Sequence, residues 1–272
     1  MRTALVTVAH GRHDHLRRQS AGIARSRTQA DLRIVVAMAD PGIAQIIDDD
    51  VEVLDCASTD RGLPLARARN LGAEHALRRG ADAVIFLDVD CIPGDTLVDR
   101  YVRACTEHTA PALFSGPVTY LPPPPPPDGY PIDALDTMTA PHPGRPDPAP
   151  GDLVGADGHD LFWSLSFAVT AQTWRLLGGF CEEYAGYGGE DTDFGAVAAL
   201  RGVPLVWVGG AHAYHQHHPV SRPPVEHVEA IVANARIFHQ RWGRWPMPTW
   251  LDAFERDGLI TRQGGEIAVR RS

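Results

Sequence analysis

Three short stretches of this chain carry side chains able to do chemistry together. The first is Asp88-Val89-Asp90, directly after the apolar run AVIFL at 83–87. On an extended chain, residues two apart face the same side, so both carboxylates can point beyond the end of a buried strand. Hard oxygen ligands placed there suit Mg²⁺ or Mn²⁺ held jointly with substrate phosphates. The second is Gly188-Gly189-Glu190-Asp191, opening a helix-period stretch. Glycines permit tight backbone geometry near a ligand, and acids at a helix N-terminus are favoured by the macrodipole. A carboxylate set against an acceptor hydroxyl there would act as a general base. The third, His212-Ala213-Tyr214-His215-Gln216-His217-His218, gathers four of the chain's 13 histidines within seven residues. Neutral imidazole ligates metals, and one histidine completing a coordination begun by Asp90 would join the first stretch to the third. The spacing does not choose among His212, His215 and His217. Nor does it separate these roles from a polar strand-end turn, an acidic helix start, or a zinc site, although no H-E-x-x-H or cysteine partner accompanies the histidines.

Arginine supplies all positive charge. The 25 basic residues are all arginine, set against 34 acids, for a net charge of -9. Without an ε-amine there is no Schiff base, no pyridoxal aldimine and no P-loop lysine, and the acidic balance argues against a nucleic-acid binder. Guanidinium groups bind phosphate well, so Arg12 after the first strand and Arg69 in LARARNLG (65–72) are expected to contact a diphosphate, with Arg67 beside them. Four cysteines, Cys56, Cys91, Cys105 and Cys181, form no C-x-x-C pair and read as free thiols.

These groups need elements to position them. Apolar strand-length runs at 3–9, 32–39, 51–54 and 83–87 alternate with helix-period stretches at 16–23 and 65–79. That alternation implies βαβ units and a mostly parallel sheet with ligands at the carboxyl ends of the strands, where His10 to Asp14, Asp40 and Asp88 to Asp90 fall. Residues 121–150 hold the run Pro122 to Pro127 and many further prolines, which excludes helix and central sheet and suggests a loop or flap. Beyond it come an aromatic-rich segment at 161–169, helices at 171–177, 191–201 and 225–242, and a strand at 205–208. The expected fold class is α/β, a Rossmann-like sheet flanked by helices, with a Pro-rich loop and a C-terminal helical extension. The expected organisation is one catalytic domain over 1–245. Its parts are a nucleotide-binding half (1–120), the Pro-rich loop (121–160) and an acceptor half (161–222), followed by a C-terminal helix and tail (223–272).

Taken in order, these residues resemble the GT-A glycosyltransferases, specifically family 2 and the β-1,4-galactosyltransferase group. GRHDHL (11–16) is similar to an N-x-R-x-x-H-L nucleotide-binding stretch, and ARARNLG (66–72) to the family 2 A-R-N-x-G helix. FLDVDCIP (86–93) resembles a metal-binding D-V-D strand end. GGFCEEYAGYGGEDTDF (178–194) resembles the G-F…W-G-G-E-D-D segment and is the most specific match. His212 and His215 stand where that group has a Met-x-x-His metal pair. The resemblance implies Mn²⁺ (or Mg²⁺) on Asp90 and His215, with His212 as a further ligand and Asp88 at the ribose or the metal shell. It implies nucleotide-sugar contacts from Ala9, His10, Arg12, Asp40, Arg67, Arg69, Asp88 and Val89. Asp191 would be the general base, Glu190 would orient hydroxyls, and Trp163, Tyr187, Gly188 and Gly189 would meet the sugars. The implied reaction is inverting transfer of a hexosyl group, with a UDP-sugar as donor and an unidentified hydroxyl compound as acceptor.

A metal-dependent hydrolase of nucleotide sugars and a non-catalytic nucleotide-sugar binding module are the rival readings. A sugar nucleotidyltransferase ranks below them, for want of a glycine-rich loop with lysine. No apolar run reaches the ~20 residues of a membrane span, and the N-terminal apolar run is short for a signal peptide, so a cytoplasmic location, with peripheral membrane contact left open, is expected.

Overall fold

The structure, a computed structural model, describes residues 1–124 and 129–270; Pro125, Pro126, Pro127 and Asp128 of the proline run and Arg271 and Ser272 of the tail lie outside the described residues. The first half runs β1 (Thr3–Ala9), α1 (His13–Arg25), β2 (Leu32–Met38), β3 (Glu52–Cys56), α2 (Leu65–Arg78), β4 (Ala83–Leu87), β5 (Cys91–Pro93), α3 (Leu97–Glu107), β6 (Leu113–Ser115) and β7 (Val118–Tyr120). The second half runs β8 (Leu153–Gly155), β9 (Ser166–Thr170), α4 (Ala171–Leu177), α5 (Glu190–Leu200), β10 (Leu205–Val208), β11 (Ala213–His215), α6 (Val228–Trp242), α7 (Pro248–Arg256), β12 (Ile260–Gln263) and β13 (Glu266–Val269).

Every residue of β1 and β4 is buried, as expected of strands covered on both faces. The main sheet has the order β3-β2-β1-β4-β9-β6-β10-β8. Strands β1 to β4 pair in parallel, β10 pairs in parallel with β6, and β9 and the edge strand β8 run antiparallel to their neighbours. One face packs on α2, α4 and α5 around a knot of aromatic rings, in which Phe180 stacks on Phe194 at 4.2 Å and Phe86 on Phe167 at 4.5 Å. Such pairs contribute about 0.5–1.5 kcal/mol each beyond their buried area. The other face packs on α3, whose Leu97, Val98, Tyr101, Ala104 and Cys105 form one buried stripe.

A second sheet, β5-β11-β7, sits beyond the carboxyl ends of the first. Its strands are too short to show in hydrophobic periodicity, yet they carry or flank several of the histidines and acids singled out above. The proline-rich stretch is largely irregular, but Ile132–Met138 forms a 3-10 helix in the one interval free of proline, which corrects the expectation of no helix there. The C-terminal region is likewise more than a helix and tail. α7 and the hairpin β12–β13 bury Leu251, Phe254, Ile260 and Ile267 against Ile231, Val232 and Ala235 of α6. Three of the four cysteines are buried and all four are free. Among the described residues no helix is long and apolar enough to cross a membrane.

Gly72 shows how tightly α2 lies on the sheet. A Cβ there would sit 2.4 Å from Val6 Cγ1 and 3.2 Å from Val36 Cγ2. Alanine at an open helix site would gain about 1 kcal/mol over glycine, whereas overpacking a core costs about 1–3 kcal/mol. Gly72→Ala is therefore expected to lower stability by roughly 1–2 kcal/mol in urea denaturation. An unchanged or raised midpoint would show that α2 can lift off the sheet.

Candidate active site at the ends of β1 and β4

The order 3-2-1-4 changes direction at β1, and in open α/β sheets ligands bind where it does, beyond the carboxyl ends of the strands. The loops after β1 and β4 meet at that point. In the first, Gly11 and Arg12 both adopt left-handed backbone, at φ 57° and 53°, and Arg12 caps α1. A non-glycine residue in this region is strained by roughly 1–2 kcal/mol and persists only where its surroundings hold it. Asp40 does the holding. It accepts from the Gly11 amide at 2.8 Å, the Gly42 amide at 3.1 Å and His13 Nε2 at 2.9 Å. The His13 bond, helped by the two amides, keeps its pKa below the ordinary carboxylate value against some desolvation. Both Asp40 oxygens thus already accept hydrogen bonds from the chain itself. His10 Nδ1 bonds the Met38 carbonyl at 2.6 Å, and the side chains of Ala9 and Val89 belong to the core, so neither of those two can meet a ligand except through backbone.

The loop after β4 is a turn, not extended chain. The Cys91 amide donates to the Asp88 carbonyl at 2.8 Å, so Asp88 and Asp90 diverge and the two-residue period fails there. Asp90 goes one way, into a group with His215 and His218 whose donor atoms all lie within 4.8 Å of one another. Sheet register makes this meeting: β11 pairs antiparallel with β5, putting His215 opposite Cys91, and the Gln216 amide bonds the Asp90 carbonyl at 2.7 Å. His218 Nε2 then stands 3.6 Å from Asp90 Oδ2, while His15 Nδ1 hydrogen-bonds Asp90 Oδ1. Burial works to raise the Asp90 pKa, but the His15 bond and the charge of Arg12, 3.8 Å away, outweigh it and hold the group ionised. Burial pushes His215 down to about 4 and lowers His218 as well, so both imidazoles are neutral at pH 7. One carboxylate and two neutral imidazoles are a fitting donor set for a borderline divalent ion.

His212 is not in this group. It precedes β11, and its Nε2 is engaged by the Thr119 hydroxyl at 2.7 Å. His218 takes the place expected of it, and His217 lies outside the group, its backbone amide donating to the Tyr130 hydroxyl. Neither His218 nor His15 is singled out by its spacing; His218 is brought in by the loop after β11 and His15 by the first turn of α1.

Asp88 goes the other way, to Arg69. Arg69 is 3% exposed and bridges Asp88 Oδ1 and Glu190 Oε1, each at 3.0 Å. Burial opposes its charge, but the two carboxylates more than compensate and raise its pKa. Asp88 itself is pushed up by burial in spite of that arginine. Arg69 is therefore engaged in an internal tie where the sequence suggested a phosphate contact, and Asp88 lies outside the Asp90–His215–His218 group. The neighbouring Asn70 makes a second tie, accepting from the Phe180 amide at 2.8 Å and donating to its carbonyl at 2.9 Å. Arg67, on the outward face of α2, is exposed.

Glycine in left-handed backbone carries the chain into α5: Gly188 at φ 87° and Gly189 at φ 95°. Asn234 of α6 holds this turn, donating to the Gly188 carbonyl at 2.7 Å, and buried Asp193 binds Arg241 and Trp242, each at 2.7 Å. Asp191 Oδ1 accepts from the Thr192 amide at 2.7 Å, while Oδ2 has no hydrogen bond among the described residues. Burial first, then the adjacent charge of Glu190, push the Asp191 carboxyl up to about 7, against the pull of Arg69. Glu190 itself is committed to Arg69 and is not free to orient a hydroxyl through Oε1. Tyr187, expected to stack on sugar, already stacks on His227 at 4.5 Å and lies nearly parallel to Trp250 at 5.9 Å. Trp163 lies beyond Tyr120 and His142, on the side of β11.

No family model matches this sequence, and no curated protein matches it. Solved structures do resemble the fold. S. aureus TarS (residues 1–349) superposes with a TM-score of 0.57 at 13% identity, over 86% of this chain and 64% of that one. The same protein in complex with UDP gives 0.54 at 15%, over 86% and 64%. GalNAc-T7 with UDP, GalNAc and Mn²⁺ gives 0.55 at 14%, over 94% of this chain and 56% of that one. The present chain thus spans less than two thirds of each of these neighbours. At such identities the likeness is one of fold, and the fold is that of the GT-A glycosyltransferases.

Removing the buried tie tests its importance. Arg69→Met leaves Asp88 and Glu190 without their cation; breaking a buried ion pair in this way costs about 3–5 kcal/mol, and the partial exposure of Asp88 puts the expected loss near the lower end. Denaturant unfolding measures it. A loss below about 1 kcal/mol would mean the pairing is as weak as a surface salt bridge.

Proposed function

We propose that the protein is a metal-dependent inverting glycosyltransferase that moves a hexosyl group from a nucleoside diphosphate donor, a UDP-sugar by preference, to an acceptor hydroxyl. The observation that carries this reading is the Asp90–His215–His218 group at the switch point of a GT-A fold, in the same structure as an activated carboxylate, Asp191. The UDP seen with TarS and the UDP and Mn²⁺ seen with GalNAc-T7 support a nucleotide donor and a divalent ion. The segment Gly188-Gly189-Glu190-Asp191 supports the galactosyltransferase-like side of the resemblance.

Asp90, His215 and His218 would hold the ion, and His15, bonded to Asp90 Oδ1, would orient that carboxylate. When bound, the ion supplies positive charge to offset the charge developing on the departing diphosphate. Arg12, fixed in left-handed backbone beside Asp90, adds a guanidinium to the same field. A cleft of about 550 Å³, whose lining includes Arg12, His15, Arg17, His217 and His218 together with Asp14, itself paired with Arg17, gives a diphosphate room. His215 and His218 remain neutral there, so they ligate without repelling a cation. Asp191 Oδ2 would accept the proton of the attacking hydroxyl, and attack opposite the leaving group inverts the anomeric centre. Arg69 keeps the acid pair of α5 in register with the end of β4 while leaving Asp191 itself only partly compensated.

A base with a pKa of about 7 is protonated and idle below that pH and ionised above it, so transfer should rise with pH through about 7. Asp191→Asn is expected to retain manganese-dependent UDP affinity, lose about 10²–10⁴-fold in transfer rate, and lose the limb near pH 7. NMR of the product formed by the unaltered chain should show the anomeric configuration opposite to that of the donor. Retained configuration, or an Asp191→Asn variant that transfers at the original rate, would overturn the mechanism.

A further inference from the structure

Arg145 takes no part in the chemistry above. It arises from the proline-rich segment, and its side chain is 5% exposed. Among the described residues its side chain makes one hydrogen bond, from Nη2 to the Ser115 hydroxyl, and Nε and Nη1 have no partner. The titratable groups that act on it most strongly are Tyr101, Tyr120 and Cys91, all neutral at pH 7, and no carboxylate is among them. Burial lowers its own pKa only to about 10, so the guanidinium stays charged. Two indoles enclose it, with Cζ 5.0 Å from the Trp163 ring centre and 4.7 Å from that of Trp207. Aromatic faces attract a cation but do not replace its lost hydration, and buried charges are otherwise paired. A counter-charge is missing.

The surroundings indicate where it comes from. The Trp163 ring meets His142 edge-on at 5.1 Å, His142 meets Tyr120 at 5.7 Å, and Tyr120 lies 4.7 Å from the ring of His215. Tyr120 is exposed and His142 and Trp163 are half-buried. A row of accessible rings thus runs from a metal donor to an uncompensated cation. Rings of this kind stack on the C–H faces of sugars. The segment bearing Arg145 is latched to β7 by the His142 amide donating to the Val118 carbonyl at 2.9 Å and by the Ala140 amide donating to the Thr119 hydroxyl at 3.0 Å.

We propose that this aromatic row binds the acceptor and that Arg145 recognises an oxyanionic group, a carboxylate or a phosphate, carried on the acceptor sugar. The anion reaches Nε and Nη1, both enclosed, when the latched segment shifts. The anion site stands on Arg145 alone; assigning it to the acceptor rests on the glycosyltransferase reading.

Calorimetric titration of the full chain without donor tests it, using glucose, glucuronate, glucose 6-phosphate and inorganic phosphate as probes. At least one of the two charged sugars is expected to bind tenfold or more tightly than glucose. Arg145→Met, checked for folding by circular dichroism, should abolish that discrimination, and Arg145→Lys, which keeps the charge, should retain part of it. The proposal fails if both charged sugars bind within twofold of glucose, or if the discrimination survives in Arg145→Met. It fails equally if inorganic phosphate alone binds through Arg145, since that marks an adventitious ion only. Should Arg145→Met not fold, Arg145→Lys and the comparison among sugars still decide. Manganese-dependent UDP binding, measured in parallel, tests the transferase reading separately; its absence would leave the anion result standing.

Discussion

The site depends on one buried cation. Arg69 pairs Asp88, at the end of β4, with Glu190, at the start of α5, and these elements are about a hundred residues apart in sequence. Two carboxylates brought this close would repel, and a single buried guanidinium would be costly, but the three together offset one another. Burial, and after it the charge of neighbouring Glu190, raises the pKa of Asp191, whose Oδ2 carries no hydrogen bond among the described residues. A group held so is suited to take up a proton near neutral pH. Lysine would make a poorer tie here, because its point charge lacks the planar fork that reaches two acids in fixed directions.

The candidate metal donors are assembled by a different device. Asp90, His215 and His218 come from a turn, a three-residue strand and a loop, and what aligns them is the register of the small β5-β11-β7 sheet. Strain lies beside them, in the left-handed Arg12 after β1 and the left-handed Ala39 after β2. Asp40 braces the first of these loops and bonds the Gly42 amide of the second, so the two strand ends bordering the cleft are fixed by the same carboxylate.

Much of this was legible in the sequence, for physical reasons. Buried parallel strands read as unbroken apolar runs, so β1, β2 and β4 stand out, and the acids and histidines at their ends mark the crevice. The segment 178–194 announced α5 and its acids. The misleading signals have local geometric causes. Asp88 and Asp90 look paired only if the chain is extended, and it turns. His212 looks like a ligand by its nearness in sequence to His215, but it precedes β11 and its ring is engaged by Thr119. Arg69 looks like a phosphate contact until its burial is known. Arg145, in an insert that reads as a loop, showed no signal at all, and neither did α3 or the C-terminal hairpin, whose partners lie far away in sequence. Asn70, Asp193 and Asn234 act through buried hydrogen bonds that no spacing reveals.

Central to the account is a divalent ion held by Asp90, His215 and His218 against a nucleoside diphosphate. Pulsed electron paramagnetic resonance of Mn²⁺ bound to the protein with UDP reads those contacts directly. Two imidazole nitrogen couplings and a phosphorus coupling are predicted, with one nitrogen coupling lost in His218→Ala and both kept in His212→Ala. A spectrum without nitrogen couplings, or one altered by His212→Ala and indifferent to His218→Ala, would contradict it.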